Sequence, residues 1–192
     1  MHPRLTPLFW EKKLCLEATH LSSLSYFKPD FYSLPNPNPL WTMVGSSLSE
    51  IQKATVQARM LSGRYRTEKL RRHWSSNSEG FCLLPSCSEQ TDDLPHILLA
   101  CPSLQEARDR VRLLWTDHLT DKPHIDHVVK MYTITQCDPD NHTQFLLDAS
   151  VLPEVISCTQ DHGQSVLDTL FYLTRTFCYS IHTCRLKLLG IF

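Results

Sequence analysis

Cys82-Leu-Leu-Pro-Ser-Cys87 is followed by eight residues and His96, then by four residues and Cys101. This C-x4-C-x8-H-x4-C run decides what the chain folds around. Zinc takes four ligands in a tetrahedron, and closed structural sites are built from thiolates and imidazoles. The short first loop lets two thiols point at one ion, and Pro85 stiffens it. His96 is expected on a short helical stretch from Leu94 to Ala100. Cys101, five positions on, falls about 140° further round an ideal helix. The helix must therefore unwind before Cys101 for both side chains to meet one ion, and Pro102 suits such a break. Two readings stand here: Cys82, Cys87, His96 and Cys101 bind Zn2+, or the cysteines are small buried hydrophobes. His73 is the alternative histidine. With all four metal positions filled by protein, no place is left for a reactive water.

The flanks read as helices. Before the run, Ser47 and Glu50 make a capping-box pattern. Ile51, Ala54, Thr55, Ala58 and Leu61 follow at helical spacing, and Gly63 is placed to stop the helix. A basic helix or turn is expected from Thr67 to Trp74. After the run, Ser103 and Glu106 form a second capping-box pattern, with Leu104, Ala107, Val111, Leu114 and Trp115 as the apolar face. Shorter helices are expected near 124–134, 141–149 and 153–159. A long one, capped by Ser165 and Asp168, carries Leu167, Leu170, Phe171, Phe177, Cys178, Ile181, Cys184 and Leu188. On it, Arg175, Arg185 and Lys187 are placed on another face. Residues 6–27 read as a weak helix. Residues 28–45, with Pro29, Pro35, Pro37 and Pro39, read as a linker or extended arm. The expected fold is mainly α, with one Cys-Cys-His-Cys zinc knuckle embedded between helices. Three parts are expected: 1–45, 46–120 and 121–192.

The chain has 192 residues, 42% of them hydrophobic, enough to bury a core. Its net charge of −1 hides an asymmetry. From Arg59 to Arg72 six basic residues face one acid, a net +5; from Thr116 to Asp168 nine acids face two lysines, a net −7. Different partners are implied for the two parts. Prolines and charges break up the first sixteen residues, which do not read as a signal peptide. No uncharged apolar stretch is long enough to span a membrane. An intracellular location with reduced thiols is expected, so Cys15, Cys137, Cys158, Cys178 and Cys184 read as packing residues or incidental thiols. Cys158 and His162 are close in sequence but lack an identifiable third group for a catalytic triad.

The run Ala58-Arg-Met-Leu-Ser-Gly-Arg-Tyr-Arg-Thr-Glu-Lys-Leu-Arg-Arg-His-Trp74 resembles the segment before the zinc knuckle in reverse transcriptases of LINE-type (non-LTR) retrotransposons. The stretch Cys82 to Leu104, with its Pro-His-Ile-Leu-Leu-Ala-Cys-Pro core, resembles that family's knuckle. The closing run from Phe171 to Gly190 is similar to the C-terminal tail of some such elements. The resemblance implies a C-terminal fragment of a retrotransposon polyprotein whose parent is an RNA-directed DNA polymerase. The polymerase itself would need an aromatic-x-Asp-Asp turn, and Asp92-Asp93 follows Gln90-Thr91 instead. A restriction-like nuclease would need Pro-Asp followed by acid-x-Lys, which neither Pro139-Asp140 nor Pro29-Asp30 supplies. No enzymatic activity is therefore expected.

Two functional readings follow. In the first, Arg59, Arg64, Arg66, Lys69, Arg71 and Arg72 neutralise phosphates of RNA or DNA, and Tyr65 and Trp74 stack on bases, with little sequence specificity. In the second, the chain is a protein-interaction or scaffold domain with a purely structural zinc, and the last helix docks on the missing polymerase domain or packs in its own core.

Overall fold

The computed structural model describes residues 24–32, 37–42, 44–87, 89–133 and 138–191. They are mainly helical. The helices are α1 (Pro39–Thr42), α2 (Leu48–Leu61), α3 (Glu68–Arg71), α4 (Gln105–Leu119), α5 (Pro123–Thr133), α6 (Pro139–Asp148), α7 (Pro153–His162) and α8 (Ser165–Leu188). No strand forms among the described residues, apart from a single antiparallel bridge between Phe81 and Thr91.

Local signals account for several helix ends. Ser47 Oγ accepts from Glu50 N at 3.2 Å and starts α2. Gly63 stops it at φ +65°, a conformation costly for any residue with a Cβ. Pro123, Pro139 and Pro153 each open a helix, where the missing N–H costs nothing. Two expected caps do not form. Ser103 lies in a 3-10 turn, Pro102–Leu104, and its hydroxyl accepts from Ser86 N at 3.4 Å. Residue Ser165 is already helical, and Gln164 takes the cap position without its side chain capping the helix.

The core is organised by α8, whose 24 residues pack against α2, α4, α6 and α7. Leu170, Phe171, Phe177, Cys178 and Ile181 are buried along it. The last helix thus packs into the core of its own domain. Its edges differ from the periodicity: Leu188 is exposed, whereas Arg175 and Arg185 are buried. Arg175 sits 3.9 Å from Glu50. On α4, Leu114 is exposed while Ala107, Val111 and Trp115 are buried. Helix α2 is also rotated from expectation. Ile51 and Thr55 face solvent, and Gln57 is fully buried. Its amide donates to Leu146 O at 2.9 Å and Thr174 Oγ1 at 3.0 Å. A buried amide with partners on two other helices outweighs the local apolar count.

The helix expected over 6–27 lies outside the described residues as far as 23, and Leu24 to Phe27 form a turn. The described parts of 28–45 are not a free spacer. Leu40 is fully buried in the core. Asp148, at the end of α6, accepts from the Tyr32 hydroxyl, from Asn38 Nδ2 at 2.9 Å and from Ser150 Oγ at 2.7 Å. Burial raises the Asp148 carboxyl above the usual range. Contrary to an extended arm, Pro29 and Pro39 open short helical turns, Pro29–Phe31 and Pro39–Thr42, and one buried carboxylate about a hundred residues away holds them down.

His142 on α6 offers a pH test. Burial, helped by Arg112, pushes its imidazole down to about 4. The unfolded chain takes up this proton near pH ~6.5, so it binds more protons than the fold between ~6.5 and ~4. Stability from this residue is present above that window and is lost as pH falls through it. Partial exposure limits the loss to roughly 2 kcal/mol. His142→Gln is expected to flatten the wild-type decline in urea midpoint between these pH values; parallel profiles would refute the assignment.

Candidate metal centre and basic groove

The Cys82–Cys101 segment is shaped by its backbone first. Gly80 sits at φ +84°, and a Cβ there would press on Arg72 Cδ at 3.4 Å. Its carbonyl accepts from Asp92 N at 3.0 Å, and Gln90 O accepts from Cys82 N at 2.8 Å, closing a hairpin. Within it, Cys87 N donates to Leu84 O at 3.1 Å, which turns the chain so both sulfurs face inward. Asp93 Oδ1 accepts from His96 N at 3.1 Å and starts the next turn.

That turn does not unwind as expected. His96–Ala100 is a π turn, in which Cys101 N donates to His96 O at 2.7 Å. An i→i+5 bond widens the helix and sets residue i+5 nearly above residue i. His96 and Cys101 therefore come onto one side by widening of the helix, and Pro102 ends it.

The ligand atoms of Cys82, Cys87, His96 and Cys101 all lie within 4.8 Å of one another, and all four residues are buried. Sγ of Cys87 and Sγ of Cys101 are 3.1 Å apart, too far for the ~2.05 Å of a disulfide. His96 Nε2 is buried without a hydrogen-bond partner. Four convergent soft donors, one of them an orphaned imidazole nitrogen, fit a metal ion. His73 is exposed and lies outside the cluster. Burial, followed by the neighbouring thiols, pushes the Cys101 thiol up to about 12. Burial raises Cys82 as well, and lowers His96. In apolar surroundings the sulfurs favour their protonated form unless a cation is supplied.

Arg108 provides an independent test of fit. It is 1% exposed. Its Nη2 donates to Cys101 O at 2.5 Å and to Gln105 Oε1 at 2.8 Å, and its Nη1 has no partner. No carboxylate pairs with it among the described residues. A buried cation is costly without an opposite charge. Three thiolates and one divalent ion leave about −1 at the centre, which would supply that charge. Two other arginines near in sequence do not take this role: Arg71 pairs with Glu68 at 3.3 Å and Arg72 is exposed. Arg108→Met is expected to weaken metal affinity roughly 10-fold or more while leaving the metal-free protein no less stable. Competition with a chromophoric chelator measures the first effect, and denaturation of the metal-free protein the second. Unchanged affinity would remove Arg108 from the site.

The hairpin is tied to the rest of the fold by Asp92, which is fully buried. Its Oδ2 accepts from Arg185 Nη2 at 2.7 Å and from Glu68 N at 2.6 Å. Arg185 also donates from Nη1 to Arg66 O at 2.8 Å. One ion pair thus joins the Cys/His hairpin, the start of α3, the basic loop and the end of α8. Burial raises the Asp92 carboxyl, against the opposing pull of Arg185. Sequence reading missed both partners, which lie 93 positions apart.

The basic candidates separate. Arg59, Arg64, Arg66 and Arg71 line one cavity of 360 Å³. Lys69 lines a neighbouring cavity of 260 Å³ with His73 and bonds Asp93 at 3.0 Å. Arg72 is exposed, and Trp74 is 65% exposed. Tyr65 corrects the expectation of base stacking. It is 6% exposed, its hydroxyl shares a hydrogen bond with His182 Nδ1 at 3.2 Å, and the Arg185 guanidinium lies 5.7 Å from its ring centre. Its ring is a core element beneath the groove.

Cys158 and Cys178 are buried and Cys184 is half-buried, consistent with packing. Burial raises the Cys158 thiol, and its neighbour is His124 O at 4.0 Å rather than an imidazole base. His162 stacks on His124 instead, ring centres 4.2 Å apart. Cys15 and Cys137 lie outside the described residues. None of the described helices is long and apolar enough to cross a membrane.

No protein-family model, no curated protein and no solved structure matches this chain.

Proposed function

We propose that the chain is a nucleic-acid-binding module stabilised by one structural zinc ion, of the kind that forms the C-terminal zinc-knuckle region of LINE-type reverse transcriptases, without chemistry of its own. The observation that carries this reading is the convergence of Arg59, Arg64, Arg66 and Arg71 on one groove whose wall is fixed to the Cys/His hairpin through Asp92 and Arg185. Zinc suits the centre because three thiols and an imidazole are its preferred closed set. In this reading the metal holds the hairpin, the hairpin holds Arg185, and Arg185 holds the loop that presents Arg64 and Arg66. RNA or DNA is bound through phosphates, with little base-edge readout.

The acids of the Thr116–Asp168 stretch fall on the end of α4, on α5 to α7 with the segments joining them, and at the start of α8, whereas the groove is formed by α2, α3 and the end of α8. Such separation favours one-sided docking of a polyanion. The expected result is binding of a mixed-sequence RNA or DNA oligonucleotide that weakens steeply with salt, with a log–log slope lowered by about one for each of Arg64→Gln and Arg66→Gln. Fluorescence anisotropy across a salt series measures it. Binding that is absent at low salt, or insensitive to salt, would leave the protein-interaction reading in its place.

A further inference from the structure

The groove is not uniformly polar. Five arginines and one glutamate line it, with Glu68 engaged by Arg71 and Ser78. Part of its lining is apolar: Leu83, Leu186, Leu189 and Ile191. Leu83 and Ile191 are each more than 60% exposed. His182 lines the same cavity, half-buried, its ring edge-on to Tyr65 at 5.6 Å. Arg185, which is nine-tenths buried, also lines it, and its Nε–H has no acceptor.

A double helix presents phosphates and sugars to a protein surface and keeps its base faces stacked inside. An apolar lining within a basic cleft gains nothing from it. An unpaired strand offers both surfaces: phosphates for the arginine rim, and a flat base that loses water favourably against leucines or an imidazole ring. A cavity of 360 Å³ admits one such base and excludes a duplex. A base edge or phosphate oxygen would also supply the acceptor that Arg185 Nε lacks.

Resting on the nucleic-acid reading above, we propose that this groove is a single-strand site, with backbone phosphates on Arg59, Arg64 and Arg66 and one unstacked base seated against Leu83, Leu186 and His182. An acidic amphipathic peptide offers charge and apolar contact but no flat ring, and it serves as the competing ligand in the test.

The test uses the full chain, purified with zinc. A labelled mixed-sequence strand of about 15 nucleotides is compared by anisotropy with its own duplex and with a glutamate-rich leucine-containing peptide. Single strand is expected to bind roughly 10-fold or more tightly than duplex or peptide. The double variant Leu83→Ser/Ile191→Ser changes two exposed side chains and should leave the fold intact, as checked by circular dichroism. It is expected to weaken single-strand binding about 5-fold while leaving the salt slope and duplex binding unchanged. Arg64→Gln/Arg66→Gln is expected to weaken both forms and lower the slope. Duplex bound as tightly as single strand overturns the inference but leaves the nucleic-acid reading standing. Equal binding of the peptide, or a Leu83→Ser/Ile191→Ser variant with wild-type affinity, also overturns it. Failure of both single strand and duplex to bind removes both.

Discussion

Cys87→Ser is expected to abolish stoichiometric zinc binding and to cost the fold at least about 4 kcal/mol. The free energy of a structural zinc site is coupled to folding and runs to about 10 kcal/mol or more in small domains. Here the consequence spreads beyond the hairpin. Ile97, Leu98 and Leu104 are fully buried in the same cluster as Phe171, Phe177 and Ile181 of α8. Loosening the hairpin therefore opens the helical core, and helix content should fall as well. Removing the metal with a chelator should reproduce the loss in the wild type and do nothing further to the variant. At this size, a loss of 4 kcal/mol corresponds to a drop in melting temperature of about 10 °C. Metal analysis together with thermal denaturation, with and without chelator, makes the comparison. A variant that keeps one zinc per chain and its melting temperature would show that Cys87 is a packing residue.

Arg185→Met is the second large effect, expected to destabilise by about 3–5 kcal/mol. It leaves the fully buried Asp92 carboxylate without its cation, and breaking a buried pair from one side is far costlier than removing both charges. The double variant Arg185→Met/Asp92→Asn should therefore be more stable than Arg185→Met alone. Asparagine keeps an oxygen for Glu68 N while removing the stranded charge. The pH response has a definite sign. Without Arg185, the already raised Asp92 carboxyl rises further. A carboxyl that titrates higher in the fold than in the unfolded chain favours folding at low pH. Arg185→Met should thus recover stability relative to wild type as pH falls toward ~4. Urea denaturation of the wild type and the two variants at two pH values checks both claims. If the double variant is no more stable than Arg185→Met, the pair is not the tie between α8 and the hairpin.

The two predictions also separate two roles that a change at Arg185 would otherwise blur. Cys87→Ser should impair nucleic-acid binding only through unfolding. Arg64→Gln and Arg66→Gln, whose side chains are exposed, should impair it with the melting temperature intact.

Read from the chain alone, the four Cys/His positions, the Ser47 cap, the Gly63 stop and the approximate places of α5 to α7 were all legible, because each depends on residues within a few positions of one another. Backbone turns, helix caps and short ligand spacings are local chemistry. The local caps read at Ser103 and Ser165 do not form, but the failures in side-chain placement share the opposite property. Tyr65 and Arg185 looked like surface residues of a basic segment and an amphipathic helix, yet both are buried, through His182 and Asp92 respectively. The proline arm looked free, yet Asp148 binds it 110 positions away from Asn38. Gln57 is core because Leu146 and Thr174 meet its amide. Hydrophobic period assigns a polar residue to the surface, because burying one is costly without a partner. Whether that partner exists is decided by chain segments about a hundred residues away, which only the tertiary structure brings together.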